Sequence, residues 1–103
     1  MQNKVKIFND SKCCHKETMP VYARLLDIES EIGELAKEYL KGSKYGTKTF
    51  EMTEDFKEEF GDVLYAMLSL ANEVDIDASE SLDIVLKKLE KRMTDNNSFG
   101  SGR

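Results

Sequence analysis

The stretch from Lys57 to Ala71 reads KEEFGDVLYAMLSLA and decides the fold class. At about 100° per residue its apolar residues line one side of a helix, and from Val63 onward the other sides are uncharged as well. Such a helix is expected to be surrounded by other helices. Asp62 stands where the charged part of this helix becomes the uncharged part. A carboxylate at this boundary needs a partner or a cation, because desolvating a bare charge costs several kcal/mol or more.

Length and composition describe one ordinary globular domain. The chain has 103 residues, 40% of them hydrophobic, and a net charge of −5 at pH 7. This acidic balance does not suit a protein that neutralises a nucleic-acid backbone, so we expect no nucleic-acid partner. The sequence has neither an apolar run near the ~20 residues of a membrane span nor a signal-peptide core. We therefore expect a cytoplasmic protein without a membrane partner.

The sole histidine and the two cysteines are adjacent, as Cys13-Cys14-His15. Three contiguous residues rarely converge on one ion, and no further Cys or His can complete a zinc shell. Two cysteines are also too few for a disulfide framework, so we expect reduced thiols and a surface imidazole. Residues 1–18 contain this cluster and lack clear periodicity. They are predicted to be irregular, although a short helix can be accommodated.

Residues 19–93 are predicted to form a helical domain, followed by a flexible, glycine-rich tail over residues 94–103. The first helix follows Pro20, whose missing N–H suits a first turn, and is predicted to end with Gly42 as its C′ residue. Its apolar stripe consists of Leu25, Ile28, Ile32, Leu35, Ala36 and Tyr39. An acidic stripe beside it consists of Asp27, Glu31, Glu34 and Glu38.

Two further helices are predicted after a connection that contains lysines and glycines. Thr53 caps the first of them, which runs to about Val74, and Asp77 with Glu80 forms a capping-box pattern for the second. The apolar face of the second consists of Leu82, Val85, Leu86, Leu89 and Met93. The patterns predict no strand, so the predicted fold class is all-α. Three helices cannot enclose the uncharged run, and we therefore predict a homodimer or a dimer of dimers.

Two pairs of acidic residues are spaced for metal binding, Glu31-x-x-Glu34 and Glu59-x-x-Asp62. A spacing of three places both side chains of a pair over one helical turn. Two antiparallel helices can bring such pairs face to face across roughly 8–10 Å. Ligation by oxygen alone suits Mg²⁺, with Mn²⁺ as a substitute, whereas a di-iron centre would need Glu-x-x-His pairs. The alternative interpretation is a solvated acidic face that binds no ion.

The residues around both pairs resemble the MazG-like all-α nucleoside triphosphate pyrophosphohydrolases, whose signature is ExxE followed by ExxD. The matching segments are IESEIGELA, from Ile28 to Ala36, and EEFGDVLY, from Glu58 to Tyr65. The resemblance extends over residues 21–93, and it implies a helical bundle that oligomerisation completes.

The resemblance also implies Mg²⁺-dependent hydrolysis of a nucleoside triphosphate to the monophosphate and pyrophosphate, of a house-cleaning or pool-control type. Glu31, Glu34, Glu59 and Asp62 would hold the metal, and Glu31 or Glu34 would accept a proton from the attacking water. Substrate contacts are expected from Lys44, Lys48, Asn72, Lys88 and Arg92. Because the sequence has no P-loop motif, backbone amides are not expected to hold the phosphates. The alternatives are a non-catalytic helical dimerisation module and a hydrolase of another phosphoanhydride metabolite on the same scaffold.

Overall fold

The computed structural model describes residues 1–12 and 20–95. These two ranges contain four helices, which are α1 (Gln2–Lys12), α2 (Val21–Gly42), α3 (Glu54–Glu73) and α4 (Ala78–Asp95). No strand occurs in the described ranges, and the all-α fold class is confirmed. None of the four helices is long and apolar enough to cross a membrane. The Cys13-Cys14-His15 cluster lies outside the described residues.

The centre of the fold is the antiparallel pair α2 and α3. Arg24, near the start of α2, contacts Glu73 at the end of α3, and Tyr39, near the end of α2, contacts Phe56 near the start of α3. The predicted N-cap of α3 is confirmed, because the Thr53 side chain accepts a hydrogen bond of 3.0 Å from the backbone N–H of Phe56. Buried apolar side chains in the described ranges come from this pair and are Ile28, Ala66, Leu68 and Ala71.

The connection between α2 and α3 is closed by aromatic packing over Gly42. Phe50 stacks on Tyr39 with ring centroids 4.5 Å apart and meets Phe56 edge to face at 5.1 Å. A Cβ on Gly42 would lie 2.5 Å from a ring carbon of Phe50, so only glycine allows this approach. The prediction that Gly42 is a C′ residue is wrong, because Gly42 is the last helical residue and the left-handed conformation occurs later. That conformation is adopted by Lys44, Tyr45 and Gly46.

Residues 1–18 were predicted to be irregular, with a short helix as the alternative, and the structure has that helix over residues 2–12 as α1. This helix is attached to α3 by side-chain amides. The Gln2 amide donates to the Asn72 side-chain oxygen at 2.9 Å, and the Asn9 amide donates to the hydroxyl of the fully buried Ser69 at 3.2 Å. The apolar residues of α1 are few and weakly periodic, so their pattern did not predict a helix whose attachment is largely polar.

Helix α4 contributes no buried residue. Its predicted start is confirmed by a hydrogen bond of 3.2 Å from the backbone N–H of Glu80 to the side chain of Asp77. It extends to Asp95, so the predicted tail begins two residues too early, and residues 96–103 lie outside the description. The large apolar side chains of α4 stay between 41% and 72% exposed, and they are Leu82, Ile84, Val85, Leu86, Leu89 and Met93.

The described part of the chain leaves many large apolar side chains in contact with water. The predicted apolar stripe of α2 shows the same feature, because Leu25 and Ile32 are about half exposed while Ile28 is buried. On α3, Met67 belongs to the uncharged run that was expected to be enclosed and is 46% exposed, and Phe60, which precedes that run, is 56% exposed. A single chain therefore covers one side of α3 and not all of them.

Candidate metal centre

The two acidic pairs meet where α2 packs on α3. One carboxylate oxygen from each of Glu31, Glu59 and Asp62 lies within 4.8 Å of the other two. Glu31 belongs to α2, and Glu59 and Asp62 lie one turn apart on α3, so the packing of the two helices creates the cluster. Glu31 and Glu59 are half-buried. Asp62 is exposed, although its place in the sequence had suggested a partly enclosed carboxylate.

Negative charge accumulates in this cluster. The pKa of Glu31 is raised above its ordinary value, first by partial removal of the carboxyl from water and then by the charges of Asp62, Asp27 and Glu34. The pKa of Glu59 is raised too, first by the same loss of water and then by Asp62 and by glutamates of α2. All of these neighbouring charges are negative. A bound cation would therefore relieve the repulsion among them.

Glu34, the fourth predicted ligand, lies outside the group of three. Its carboxylate is 3.8 Å from the ammonium of Lys37 on the same helix, and half of its side chain is exposed. Its charge nevertheless contributes to the raised pKa of Glu31 and of Glu59. Glu34 therefore lies close enough to act on the centre electrostatically without sharing the same oxygen cluster.

The donor set of the cluster fits a hard divalent cation. It offers three carboxylate oxygens and neither nitrogen nor sulfur, which are the ligands that zinc prefers. Mg²⁺ binds oxygen and commonly keeps several of its ligands as water or substrate phosphate. Three protein carboxylates around one position are suited to that mixed coordination. Glu31, Glu59 and Asp62 could therefore hold Mg²⁺ or Mn²⁺.

The predicted phosphate-binding cations lie on other parts of the molecule. Lys44 and Lys48 are exposed in the connection that follows α2, and Lys88 and Arg92 are exposed on α4. In residues 1–12 and 20–95, none of the four forms an ion pair with a carboxylate of the cluster. Their substrate contacts stay a prediction.

Asn72, the remaining predicted substrate contact, belongs to the joint between α1 and α3. Its side-chain oxygen accepts from Gln2 at 2.9 Å, and its nitrogen donates to the backbone carbonyl of Gln2 at 3.4 Å. Gln2 also donates to the carbonyl of Ile76 at 2.6 Å and accepts from the backbone N–H of Ala78 at 2.8 Å. The contacts of Asn72 in the chain are therefore those of a residue that fixes α1 against the start of α4.

One pair of residues that the sequence reasoning missed is Arg24 and Glu73. The guanidinium Nη2 and Nε of Arg24 lie 2.8 and 3.3 Å from the same oxygen of Glu73. The sequence contained a signal for it, because Arg24 precedes Glu31 by seven residues and Glu73 follows Asp62 by eleven. These spacings are close to two and three helical turns, which places the pair on the faces that carry the carboxylates.

The fold and the site together define an all-α protein with a carboxylate centre between two antiparallel helices. The family model described as the MazG nucleotide pyrophosphohydrolase domain matches residues 22–96. An uncharacterised protein of Bacillus subtilis (strain 168), YpjD, is 41% identical over an alignment of 76 residues that covers 71% of this chain and 67% of the relative. The crystal structure of a candidate pyrophosphatase from Bacillus subtilis, YPJD, superposes with a TM-score of 0.69 at 31% identity. That superposition covers 84% of this chain and 88% of the other.

The match extends over more than half of the chain and includes both acidic pairs. The chain belongs to the MazG nucleotide pyrophosphohydrolase family. Its general activity is accordingly that of a nucleotide pyrophosphohydrolase.

Proposed function

We propose that the protein hydrolyses a nucleoside triphosphate to the nucleoside monophosphate and pyrophosphate, with Mg²⁺ as the cofactor and Mn²⁺ as a substitute. The observation that carries the proposal is the convergence of Glu31, Glu59 and Asp62 within 4.8 Å. The two half-motifs lie on different helices, and in a chain of this family their meeting supports a shared metal site. A solvated acidic face would have no reason to bring three like charges together across a helix interface.

In this proposal the clustered carboxylates bind the cation and place it against the phosphates of the substrate. Glu31, Glu59 and Asp62 would hold the cation, which neutralises charge on the phosphate oxygens when it is bound. Attack by water on phosphorus breaks the bond to the bridging oxygen between the α and β phosphates, and pyrophosphate leaves with that cleavage. The attacking water must lose a proton, and a carboxylate at hydrogen-bond distance can accept it.

Glu34 and Glu31 were both candidates for this proton acceptor. The position of Glu34 supports Glu34 as the proton acceptor. Its oxygens lie outside the cluster formed by Glu31, Glu59 and Asp62, and half of its side chain is exposed. A carboxylate that binds the metal through its oxygens is a weaker base than one that does not, since the cation stabilises its charged form. We therefore assign proton acceptance to Glu34 and ligation to Glu31.

We also propose that the working protein is a homodimer or a dimer of dimers. Support comes from α4, whose large apolar residues are all at least 41% exposed. Exposed apolar area of this extent commonly marks a surface that another chain covers. A second copy is the partner proposed here because symmetric homo-oligomers are the commonest soluble assemblies.

The test is incubation of the protein with each common and each chemically damaged nucleoside triphosphate plus Mg²⁺, followed by measurement of pyrophosphate and orthophosphate. We expect pyrophosphate from at least one substrate, no product in EDTA, and recovery with Mn²⁺. Orthophosphate as the first product would overturn cleavage between the α and β phosphates. Hydrolysis confined to a non-nucleotide phosphoanhydride would overturn the nucleotide assignment, and failure of every substrate would favour the non-catalytic module.

A further inference from the structure

The Arg24–Glu73 ion pair differs from the other ion pairs of the described chain. Five of the six pairs join residues three or four apart on one helix, and several are more than half exposed. Arg24 and Glu73 instead connect α2 with α3, and their side chains are only 14% and 23% exposed. The pKa of Arg24 is raised mainly by its hydrogen bond to Glu73. The contact of 2.8 Å joins two helices, whereas the other five pairs lie within one helix and cannot hold two helices together.

The Arg24–Glu73 pair lies along the same helix interface as the carboxylate cluster. Arg24 lies seven residues before Glu31, which is about 10 Å along the helix axis at 1.5 Å per residue. Beyond the centre, in the opposite direction, α2 and α3 are joined by the aromatic contacts among Tyr39, Phe50 and Phe56. The three clustered carboxylates therefore lie between two fixed points of the helix pair.

The centre itself pushes the helices apart when no cation is bound. Glu31 on α2 faces Glu59 and Asp62 on α3, and like charges at this distance repel. The side chains buried near this point are mainly small or medium in size, such as Ile28 and Ala66. The Arg24–Glu73 ion pair joins α2 and α3 next to the carboxylate cluster, so it would oppose separation of the two helices.

We propose that Arg24 and Glu73 are positioning residues of the metal centre. Their ion pair sets the separation and register of α2 and α3 so that Glu31 meets Glu59 and Asp62 around one cation. The inference rests on the proposed function in one respect, namely that the cluster binds a divalent cation. Neither residue is assigned a contact with the substrate or with the metal.

The first experiment measures Mn²⁺ affinity of the full chain without substrate, by electron paramagnetic resonance of the free ion. Arg24→Gln and Glu73→Gln should each weaken binding about three- to tenfold, and the double variant should be no weaker than either single one, because the same contact is lost. Arg24→Lys, which keeps the charge but not the two N–H contacts, should recover part of the affinity. Lys57→Gln is the matched control, since it removes the exposed pair with Glu54 on α3 and should bind Mn²⁺ like the wild type.

The second experiment measures the unfolding equilibrium constant in EDTA. It compares the effect of Asp62→Asn in the wild-type chain with its effect in the Arg24→Gln chain. If the ion pair forces the carboxylates together, its loss lets them separate, so Asp62→Asn should stabilise the Arg24→Gln chain less than it stabilises the Arg24 chain. The two changes in unfolding equilibrium constant should differ by more than about twofold, which is the usual agreement between independent sites. Equal changes would overturn the proposal. A larger stabilisation in the Arg24→Gln chain would overturn it as well, because it would show only a direct attraction between Arg24 and Asp62.

Failure of the inference is distinguishable from failure of the proposed function. A wild type that binds no Mn²⁺ would overturn both. A wild type that binds Mn²⁺, together with folded glutamine variants that bind it equally well, would overturn the positioning role alone. If Arg24→Gln does not fold, Arg24→Lys decides the question, because equal affinity in that folded variant excludes a role for the two-contact geometry.

Discussion

The α2–α3 pair and α4 have similar amphipathic sequences and different surroundings. The pair buries Ile28, Ala66, Leu68 and Ala71 and is held by an aromatic cluster at one end and an ion pair at the other. Helix α4 carries apolar residues at helical spacing and buries none of them. An amphipathic pattern therefore specifies that a face needs cover, but it does not specify which surface provides the cover. The chain itself covers one side of the pair, whereas for α4 we propose that a second copy provides the cover.

The largest expected effect is at the carboxylate cluster between α2 and α3. Asp62→Asn should lower pyrophosphohydrolase activity by at least about 100-fold, as expected for loss of a group that places charge at the reacting phosphates. In EDTA the variant should be at least as stable as the wild type, because one repelling charge is gone. Mg²⁺ should raise the melting temperature of the wild type, by a term of about 2.7 kcal/mol at 100 times the Kd, and should do little for the variant.

The matched control for that variant is Glu29→Gln, which changes an exposed carboxylate on the same helix as Glu31 but outside the cluster. It should keep both activity and the Mg²⁺ response. If Asp62→Asn melts lower than the wild type in EDTA, or keeps its Mg²⁺ response, Asp62 is a structural residue and the cluster does not bind metal through it.

The next effect concerns α4. Leu89→Lys places an ammonium in the middle of its apolar face, and desolvating an unpaired charge costs several kcal/mol. We expect the oligomer to weaken by tenfold or more at about 25 °C, each factor of ten corresponding to about 1.4 kcal/mol. Sedimentation should then detect a species near the chain mass of 11.8 kDa. Lys87→Glu, on the opposite side of α4, should leave the oligomer intact.

A wild type that already sediments at the mass of one chain at micromolar concentration would contradict the proposed assembly. The apolar face of α4 would then remain exposed to water in the native protein, and a second copy would not explain why α4 buries fewer apolar residues than the α2–α3 pair.

A smaller effect is expected at the end of the helix pair that the aromatic cluster closes. Gly42→Ala places a Cβ 2.5 Å from a Phe50 ring carbon and 2.9 Å from the carbonyl of Glu51. The free energy of unfolding should fall by about 1–3 kcal/mol, the usual effect of overpacking. Gly33→Ala is the matched control, because nothing lies within 4 Å of its added Cβ and alanine favours a helix interior by about 0.5–1 kcal/mol. Thermal unfolding of both variants gives the comparison.

A destabilised Gly33→Ala protein would be informative about the assembly. The space at Gly33 is open in the single chain, so the loss would show that another surface approaches it in the assembled protein.

The smallest effect is a pH dependence in EDTA. The pKa values of Glu31 and Glu59 are raised in the folded protein, first by loss of water and then by neighbouring carboxylates, so the folded state binds protons more tightly than the unfolded one. The stability that this contributes is fully present below the ordinary glutamate pKa and is lost as pH rises through the raised values. Melting temperatures measured between about pH 4 and pH 7 should show this decline, and Asp62→Asn should reduce it. If the decline is unchanged in that variant, the charge of Asp62 does not contribute to the raised pKa values of Glu31 and Glu59.

The difference between α1 and the other helices shows where sequence patterns stop being informative. The starts of α2, α3 and α4 followed from Pro20, from the Thr53 cap and from the Asp77–Glu80 pattern, because N-terminal caps are local properties. Helix α1 was missed because its attachment depends on the amides of Gln2 and Asn9, and these meet their partners 60 or more residues away in the chain.

The amino-acid sequence was enough to predict the all-α class, the three longer helices and the two acidic pairs, because the 3.6-residue period fixes which side chains share a face of one helix. It could not determine which carboxylates of the two pairs would meet. The packing of α2 on α3 places Glu31 beside Glu59 and Asp62, while Glu34 contacts Lys37. That choice depends on the rotation and register of α2 against α3, which are set by packing and by contacts between distant residues, such as Arg24 with Glu73. A helix fixes angles within itself, and only its packing against another helix fixes the position of its atoms relative to that neighbour.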